Sequence, residues 1–99
     1  MKDSAFPTSG GRVVLVFARA TAETVSYEAE LYVPDARFTS AAEVRVADGD
    51  VVFPAWAPES PPAWLLAFAR AFLRSAWLAR RDDPDEPWPA RINRWRPAK

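Results

Sequence analysis

The sequence predicts an α+β fold. An antiparallel β-meander of three to four strands should be followed by one long α-helix that packs on the sheet and by an irregular Trp/Arg-rich C-terminal tail. Three observations carry this prediction. Residues 23–33 alternate between apolar and polar side chains, an Asp-Gly pair separates two valine-rich runs, and residues 61–81 are apolar over most of a helical circumference. The expected order of elements is therefore β-β-β-β-α.

The first two predicted strands differ in their burial pattern. Residues 12–19 follow Gly10-Gly11, and both alternating sets from Val13 to Ala18 are apolar, which is typical of a strand covered on both faces. Residues 23–33 keep a strict period of two, which indicates one face in the core and one in water. Because one helix covers only one face, we expect a chain terminus or a second protomer to cover the other.

A tight hairpin is predicted between strands near 43–47 and 50–54, after a loop over 34–41. Asp48-Gly49 favours a type I′ turn, in which both central residues need positive φ. The register of the returning strand stays open. Either Val51 and Phe53, or Val52 alone, joins the core face.

The predicted helix spans 61–82, with Ser60 as its N-cap and Pro61 in the first helical position. Asp83-Pro84 ends it, because the residue before proline avoids the α region. On a helical wheel the side chains expected to face the sheet are Trp64, Leu65, Phe68, Phe72, Ala76 and Ala79. The opposite side carries the arginine stripe Arg70, Arg74 and Arg81, and beside the stripe lie Leu66, Leu73 and Trp77, which we expect the C-terminal tail to cover.

The chain length of 99 residues is sufficient for one hydrophobic core. We therefore expect a flexible N-terminal tail over 1–11 and a single α+β domain over 12–99, with the sheet in 12–56, the helix in 61–82 and the C-terminal tail in 84–99. Four prolines in that tail disfavour a long helix. The tail can dock on the helix or remain free for a partner.

The composition argues against most catalytic chemistry. The chain has no cysteine and no histidine, which removes thiolate metal sites, thiol catalysis and the commonest general base. Its three glycines form no phosphate-binding loop. We expect a non-enzymatic protein without cofactor or metal. The most apolar stretch is interrupted by Arg70 and Arg74 and no signal sequence is recognisable, so we expect a cytoplasmic location without membrane insertion.

The charge is zero overall but unevenly distributed. Residues 1–59 carry nine acidic and five basic side chains, a balance of −4, and residues 60–99 carry a balance of +4. This asymmetry favours an acidic sheet paired internally with a basic helix and tail. It is also compatible with a basic surface for an acidic partner.

The leading functional hypothesis is a protein-interaction or self-association module whose partner is another protein or a second copy. The alternative is binding of nucleic acid or an acidic partner by the C-terminal Arg/Trp segment, since arginine grips phosphates and tryptophan stacks on unpaired bases. The segment can instead cover the helix, with its arginine stems on apolar surface. The candidate partner-binding residues are Arg70, Arg74, Trp77, Arg81, Trp88, Arg91, Arg94, Trp95 and Arg96.

Overall fold

The computed structural model describes residues 6–98 and has the predicted α+β class. The strands are β1 (Gly11–Ala20), β2 (Thr24–Val33), β3 (Ala36–Arg45), β4 (Val51–Val52) and β5 (Arg91–Arg96), and the helix α1 is Ala63–Asp82. They form one antiparallel sheet in the order β4-β3-β2-β1-β5, and the helix packs on it against β1 to β4.

The second and third strands form a tighter hairpin than the sequence predicted. Val33 pairs directly with Ala36, so the turn contains only Pro34 and Asp35. The predicted loop over 34–41 is therefore wrong, because most of it is the first half of β3. Proline is acceptable here because its missing N–H lies in the turn and not in the ladder.

The register of the next hairpin is resolved by the pairs Val44 with Val51 and Glu43 with Val52. Val51 is buried in the core and Val52 faces outwards. The expected type I′ turn is wrong, since the only residue of this loop with positive φ is Gly49 at 76°. The loop is longer, with Arg45 and Asp50 joined by a backbone hydrogen bond of 2.8 Å.

The C-terminal segment is not irregular, because residues 91–96 form an edge strand beside β1. Four prolines led to the expectation of an irregular tail. Pro89 and Pro97 lie on either side of the strand and leave its six residues free to pair.

The helix is rotated relative to the predicted orientation. Its buried residues are Leu65, Ala69, Leu73 and Trp77, spaced by four along one face. Ala79 is exposed, and Phe68 and Phe72 are only half-buried at the flank. The prediction that the tail covers Leu73 and Trp77 is therefore wrong, because both belong to the main core under the sheet.

The helix begins later than predicted and without a side-chain cap. Pro62 occupies the N-cap position, and its carbonyl accepts hydrogen bonds from Leu65 and Leu66, each at 3.0 Å. Ser60 is exposed and makes no cap. A proline at this position loses no internal hydrogen bond, since the first N–H groups of a helix have no intrahelical acceptor.

The face of the sheet opposite the helix, called here the open face, is partly covered by the N-terminal segment. The ring of Phe6 packs edge-on against Tyr32 with centroids 5.1 Å apart, and Pro7 is buried. Val14 on this face is only 4% exposed. A chain terminus thus provides part of the cover that the doubly apolar β1 requires.

Candidate interaction surface

The nine candidate residues divide into three groups. Arg70, Arg74, Trp77 and Arg81 lie along one flank of α1, Trp88 lies in the connector before β5, and the others lie in β5 itself. The structure does not join them into one continuous site.

The helix group holds the β3–β4 hairpin. Trp77 donates its indole N–H to the carbonyl of Val46 at 2.8 Å, and Arg74 donates to the carbonyl of Asp48 at the same distance. Arg70 donates to the carbonyl of Val51. The arginine stripe therefore lies beside the buried face rather than opposite it, and two of its members satisfy backbone acceptors of the hairpin.

Gly49 allows this close approach. A β-carbon at this position would lie 2.5 Å from Cδ2 of Trp77 and 2.7 Å from Nη1 of Arg74. Together with its positive φ, this contact explains why a glycine occupies the end of the loop.

Trp88 packs at the end of the helix rather than in a basic patch with Trp95. The Arg80 guanidinium lies 5.7 Å from the Trp88 ring centroid and also donates to the carbonyl of Glu86 at 2.6 Å. Tyr27 donates its hydroxyl to the carbonyl of Pro89 at 2.6 Å and so fixes the connector to the sheet. Burial raises the pKa of Tyr27 to about 12.

A surface cavity of about 340 Å³ lies between this connector and the helix end. Trp77 and Trp88 form its apolar walls, and the rest of its lining comprises Val46, Ala47, Arg80, Arg81 and Pro84. Arg81 stacks on Trp77, 5.5 Å from the ring centroid.

Two arginines of β5 cover the other flank of the helix. The Arg96 guanidinium lies 4.7 Å from the Phe68 ring centroid, and the Arg94 guanidinium lies 5.8 Å from that of Phe72. Such contacts bury the arginine stems over apolar surface, and the Nε of Arg96 is itself buried and has no hydrogen-bond partner among the described residues. Within residues 6–98, Arg91, Arg94 and Arg96 form no ion pair with a carboxylate.

Arg91 and Trp95 lie on the open face, because side chains alternate along a strand. Trp95 is 48% exposed, more than any other large apolar side chain of the described residues. Its indole N–H donates to the carbonyl of Ser9 at 2.7 Å. Between Trp95 and Arg91 lies Asn93, whose side-chain oxygen accepts a hydrogen bond from Arg12 at 3.1 Å.

The main chain of β5 forms one edge of the sheet. Phe17 donates its N–H to the carbonyl of Ala90 at 2.9 Å, and the register continues through Leu15 with Ile92 and Val13 with Arg94. Since bonded pairs alternate in an antiparallel ladder, the backbones of Arg91, Asn93 and Trp95 point away from β1. Among the described residues no backbone group pairs with them. The carbonyl of Asn93 accepts from the side chain of Arg94 at 3.0 Å.

The carboxylates whose pKa values are lowered are those that already accept hydrogen bonds within the protein. A hydrogen bond from Tyr32 and contacts with Arg37 lower the pKa of Glu30, and the backbone N–H of Asp50 lowers the pKa of Asp48. The ion pairs of the described residues join Arg37 to Glu30, Arg45 to Asp48 and Asp50, and Arg81 to Asp82. Among the described residues none of these ion pairs includes an arginine of β5, although the charge of Arg91 also contributes to the lowered pKa of Glu30.

Two negative observations concern residues 6–98 alone. Within this range no group of three or more acidic side chains converges to hold a metal ion. Within the same range no helix is both long enough and apolar enough to span a bilayer.

Sequence reasoning missed Asn93 and Arg80. Asn93 could have been found from the alternation in Arg91–Arg96, where Arg, Asn and Trp occupy one face and Ile, Arg and Arg occupy the other. Arg80 carried no comparable signal, because its contact with Trp88 depends on the path of the connector.

Comparison with protein-family models, curated proteins and solved structures finds no match for this chain.

Proposed function

We propose that this chain is a small non-enzymatic protein-interaction module that accepts an extended segment of another polypeptide beside β5. The supporting observation is the outward-facing main chain of Arg91, Asn93 and Trp95 at the edge of the sheet. A partner strand would pair with these donors and acceptors, as in other cases of β-strand addition.

The side chains at this edge suit recognition by a partner. Trp95 offers an exposed indole on the open face, and tryptophan and arginine are the residue types enriched at energetically dominant interface positions. The indole is held by its hydrogen bond to Ser9, so little conformational freedom is lost when a partner packs on it.

The directions of the pKa shifts of Glu30 and Asp48 support a non-enzymatic role. A general acid at neutral pH needs a raised carboxyl pKa, whereas the pKa values of Glu30 and Asp48 are lowered. Besides Arg37, the groups with raised pKa values are Tyr27 and Tyr32, whose hydroxyls donate to the carbonyl of Pro89 and to Glu30.

Self-association is a less favourable version of the same proposal. Pairing β5 with its own copy would bring two arginine-rich strands together, with three arginines in each. Like charges on neighbouring strands oppose pairing. A dimer that forms through β5 should therefore become stronger as salt screens this repulsion.

Binding of single-stranded nucleic acid through Arg91 and Trp95 is the alternative. These two residues share the open face, whereas Arg94 and Arg96 lie on the helix side of the strand. The division of the arginines between two faces favours a protein strand, whose side chains also alternate between faces. Nucleic-acid binding would weaken steeply with salt.

Substitution Asn93→Pro tests the edge directly. The N–H of Asn93 points away from β1, so proline removes an outward donor and blocks the edge without breaking a bond inside the sheet. Asn93→Ala is the matched control, because it loses the same side-chain contact with Arg12 but keeps the N–H. Peptides selected from a random displayed library should bind the wild-type and Asn93→Ala proteins. Their affinity for Asn93→Pro should be about tenfold lower, since one main-chain hydrogen bond contributes about 1 kcal/mol and the proline ring also obstructs the edge.

The edge proposal is wrong if the selected peptides bind Asn93→Pro as tightly as Asn93→Ala. Circular dichroism of both variants verifies that the sheet is intact. Light scattering and titration with oligo(dT) at two salt concentrations, run alongside, measure self-association and nucleic-acid binding.

A further inference from the structure

The side chains at the β5 edge also indicate which sequence the partner strand should have. This inference rests on the proposed function. We infer that this edge selects an acidic strand with carboxylates at alternate positions, facing Arg94 and Arg96 on the helix side. Three features of the strand carry this inference.

The first feature is the position of Arg94 and Arg96 relative to an added strand. Their backbone groups bond inwards to β1, so both residues would occupy non-hydrogen-bonded positions opposite a partner. Side chains approach most closely at such positions. One residue separates the two arginines, so they lie roughly 6.6–6.8 Å apart along the strand, which equals the spacing of alternate side chains on the partner.

The second feature is that both guanidinium groups are held in place before binding. Arg96 lies over Phe68 and Arg94 lies over Phe72, at 4.7 and 5.8 Å from the ring centroids. A guanidinium supported on a ring loses less freedom when it binds a carboxylate. No carboxylate of residues 6–98 forms an ion pair with either group.

The third feature is the opposite face of the same strand. The partner residue between the two carboxylates would face Trp95, which is 48% exposed and apolar. The favoured partner sequence therefore alternates acidic and apolar residues. The backbone carbonyl of Asn93, which accepts from Arg94, keeps a second lone pair for the partner's N–H.

Synthetic peptides test the selection. A labelled peptide of alternating Glu and Val should bind about tenfold more tightly than its Gln/Val counterpart at low salt, since exposed cross-strand ion pairs have a total effect of this order. The difference should shrink towards zero in high salt, because these pairs are exposed. Fluorescence anisotropy gives both affinities.

Variants identify the groups responsible. Arg94→Gln combined with Arg96→Gln should abolish the preference for Glu over Gln and leave the weaker Gln/Val binding in place. Arg19→Gln, which removes an exposed arginine at the far end of β1, should keep the full preference. If the double glutamine variant is unstable, the Arg94→Lys and Arg96→Lys pair retains the charge and should keep most of the preference.

The outcomes separate the two proposals. Equal binding of both peptides, with loss in Asn93→Pro, overturns acidic selection and leaves strand addition standing. A Glu preference that survives in the Arg94→Gln, Arg96→Gln double variant also overturns it. If neither model peptide binds, acidic selection is overturned, and strand addition is overturned with it if no library peptide binds the wild-type protein more tightly than Asn93→Pro. Both proposals are also overturned by oligo(dT) binding that exceeds peptide binding and is unaffected by Asn93→Pro.

Discussion

At the scale of single residues, this chain uses polar groups on aromatic and arginine side chains to hold main-chain carbonyls. Trp77 and Arg74 donate to backbone oxygens of the β3–β4 loop, and Tyr27 donates to a backbone oxygen of the connector before β5. Each such bond replaces the hydrogen bond to water that the carbonyl loses on folding. The residues that were first considered as binding groups therefore include several that stabilise the fold.

The stability of the protein should fall at high pH because of Tyr27. Its pKa is raised by burial to about 12, against about 10 in an unfolded chain, so the folded state holds the proton more tightly. This contribution is fully present below pH 10 and is lost as the pH rises to 12. We expect a loss of about 1.4 kcal/mol in the free energy of unfolding by about pH 11.

Urea denaturation at a series of pH values measures this loss. The control is Tyr27→Phe, which should show a smaller decline over the same range, the remainder arising from Tyr32, whose pKa is also raised. A wild-type decline no larger than that of Tyr27→Phe would contradict the assignment.

At the scale of elements, the orientation of α1 decides which side chains form the core. On a helical wheel the helix is apolar over most of its circumference. Several rotations of α1 about its own axis would therefore bury similar apolar areas against the sheet. The hydrogen bonds from Trp77, Arg74 and Arg70 to the hairpin select one rotation, because their donors reach carbonyls only from that flank.

Leu73→Ala and Leu78→Ala make the same chemical change on different sides of this helix. Leu73 is fully buried, so its loss leaves a cavity and should cost about 3 kcal/mol in the free energy of unfolding. Leu78 is half-buried, so we expect a cost of about 1 kcal/mol. Chemical denaturation of both variants measures the difference, and a larger loss for Leu78→Ala would contradict the observed orientation.

At the scale of the whole molecule, β5 joins the two ends of the domain. It pairs with β1, covers Phe68 and Phe72 with Arg96 and Arg94, and contacts the N-terminal segment through Trp95. The same strand therefore completes the sheet and provides one of its two edges, the other being β4.

Truncation after Asp83 should expose the edge of β1 and the flank of α1 and cause aggregation, because both are apolar surfaces. The control is truncation after Arg96, which keeps β5 intact and should remain folded. Light scattering and denaturation compare the two chains. A monomeric, equally stable chain ending at Asp83 would show that β5 is dispensable.

The sequence predicted much of the fold and little of the site. The strict alternation in residues 23–33 identified β2, and the valine-rich runs around Asp48-Gly49 identified a hairpin. The candidate residues Arg91 and Trp95 do lie beside the proposed edge. Asn93, the residue at its centre, was missed because the segment was interpreted as irregular on account of its prolines.

The sequence by itself determined the elements whose signals are local: alternation for strands, a long apolar pattern for the helix, and turn residues between them. Only the tertiary structure decided the register of Val51, the rotation of α1 and the pairing of β5 with β1. The physical reason is that local patterns fix which side chains share a face. The choice between faces depends on hydrogen bonds and packing between residues far apart in the chain, such as Trp77 with Val46 and Arg96 with Phe68.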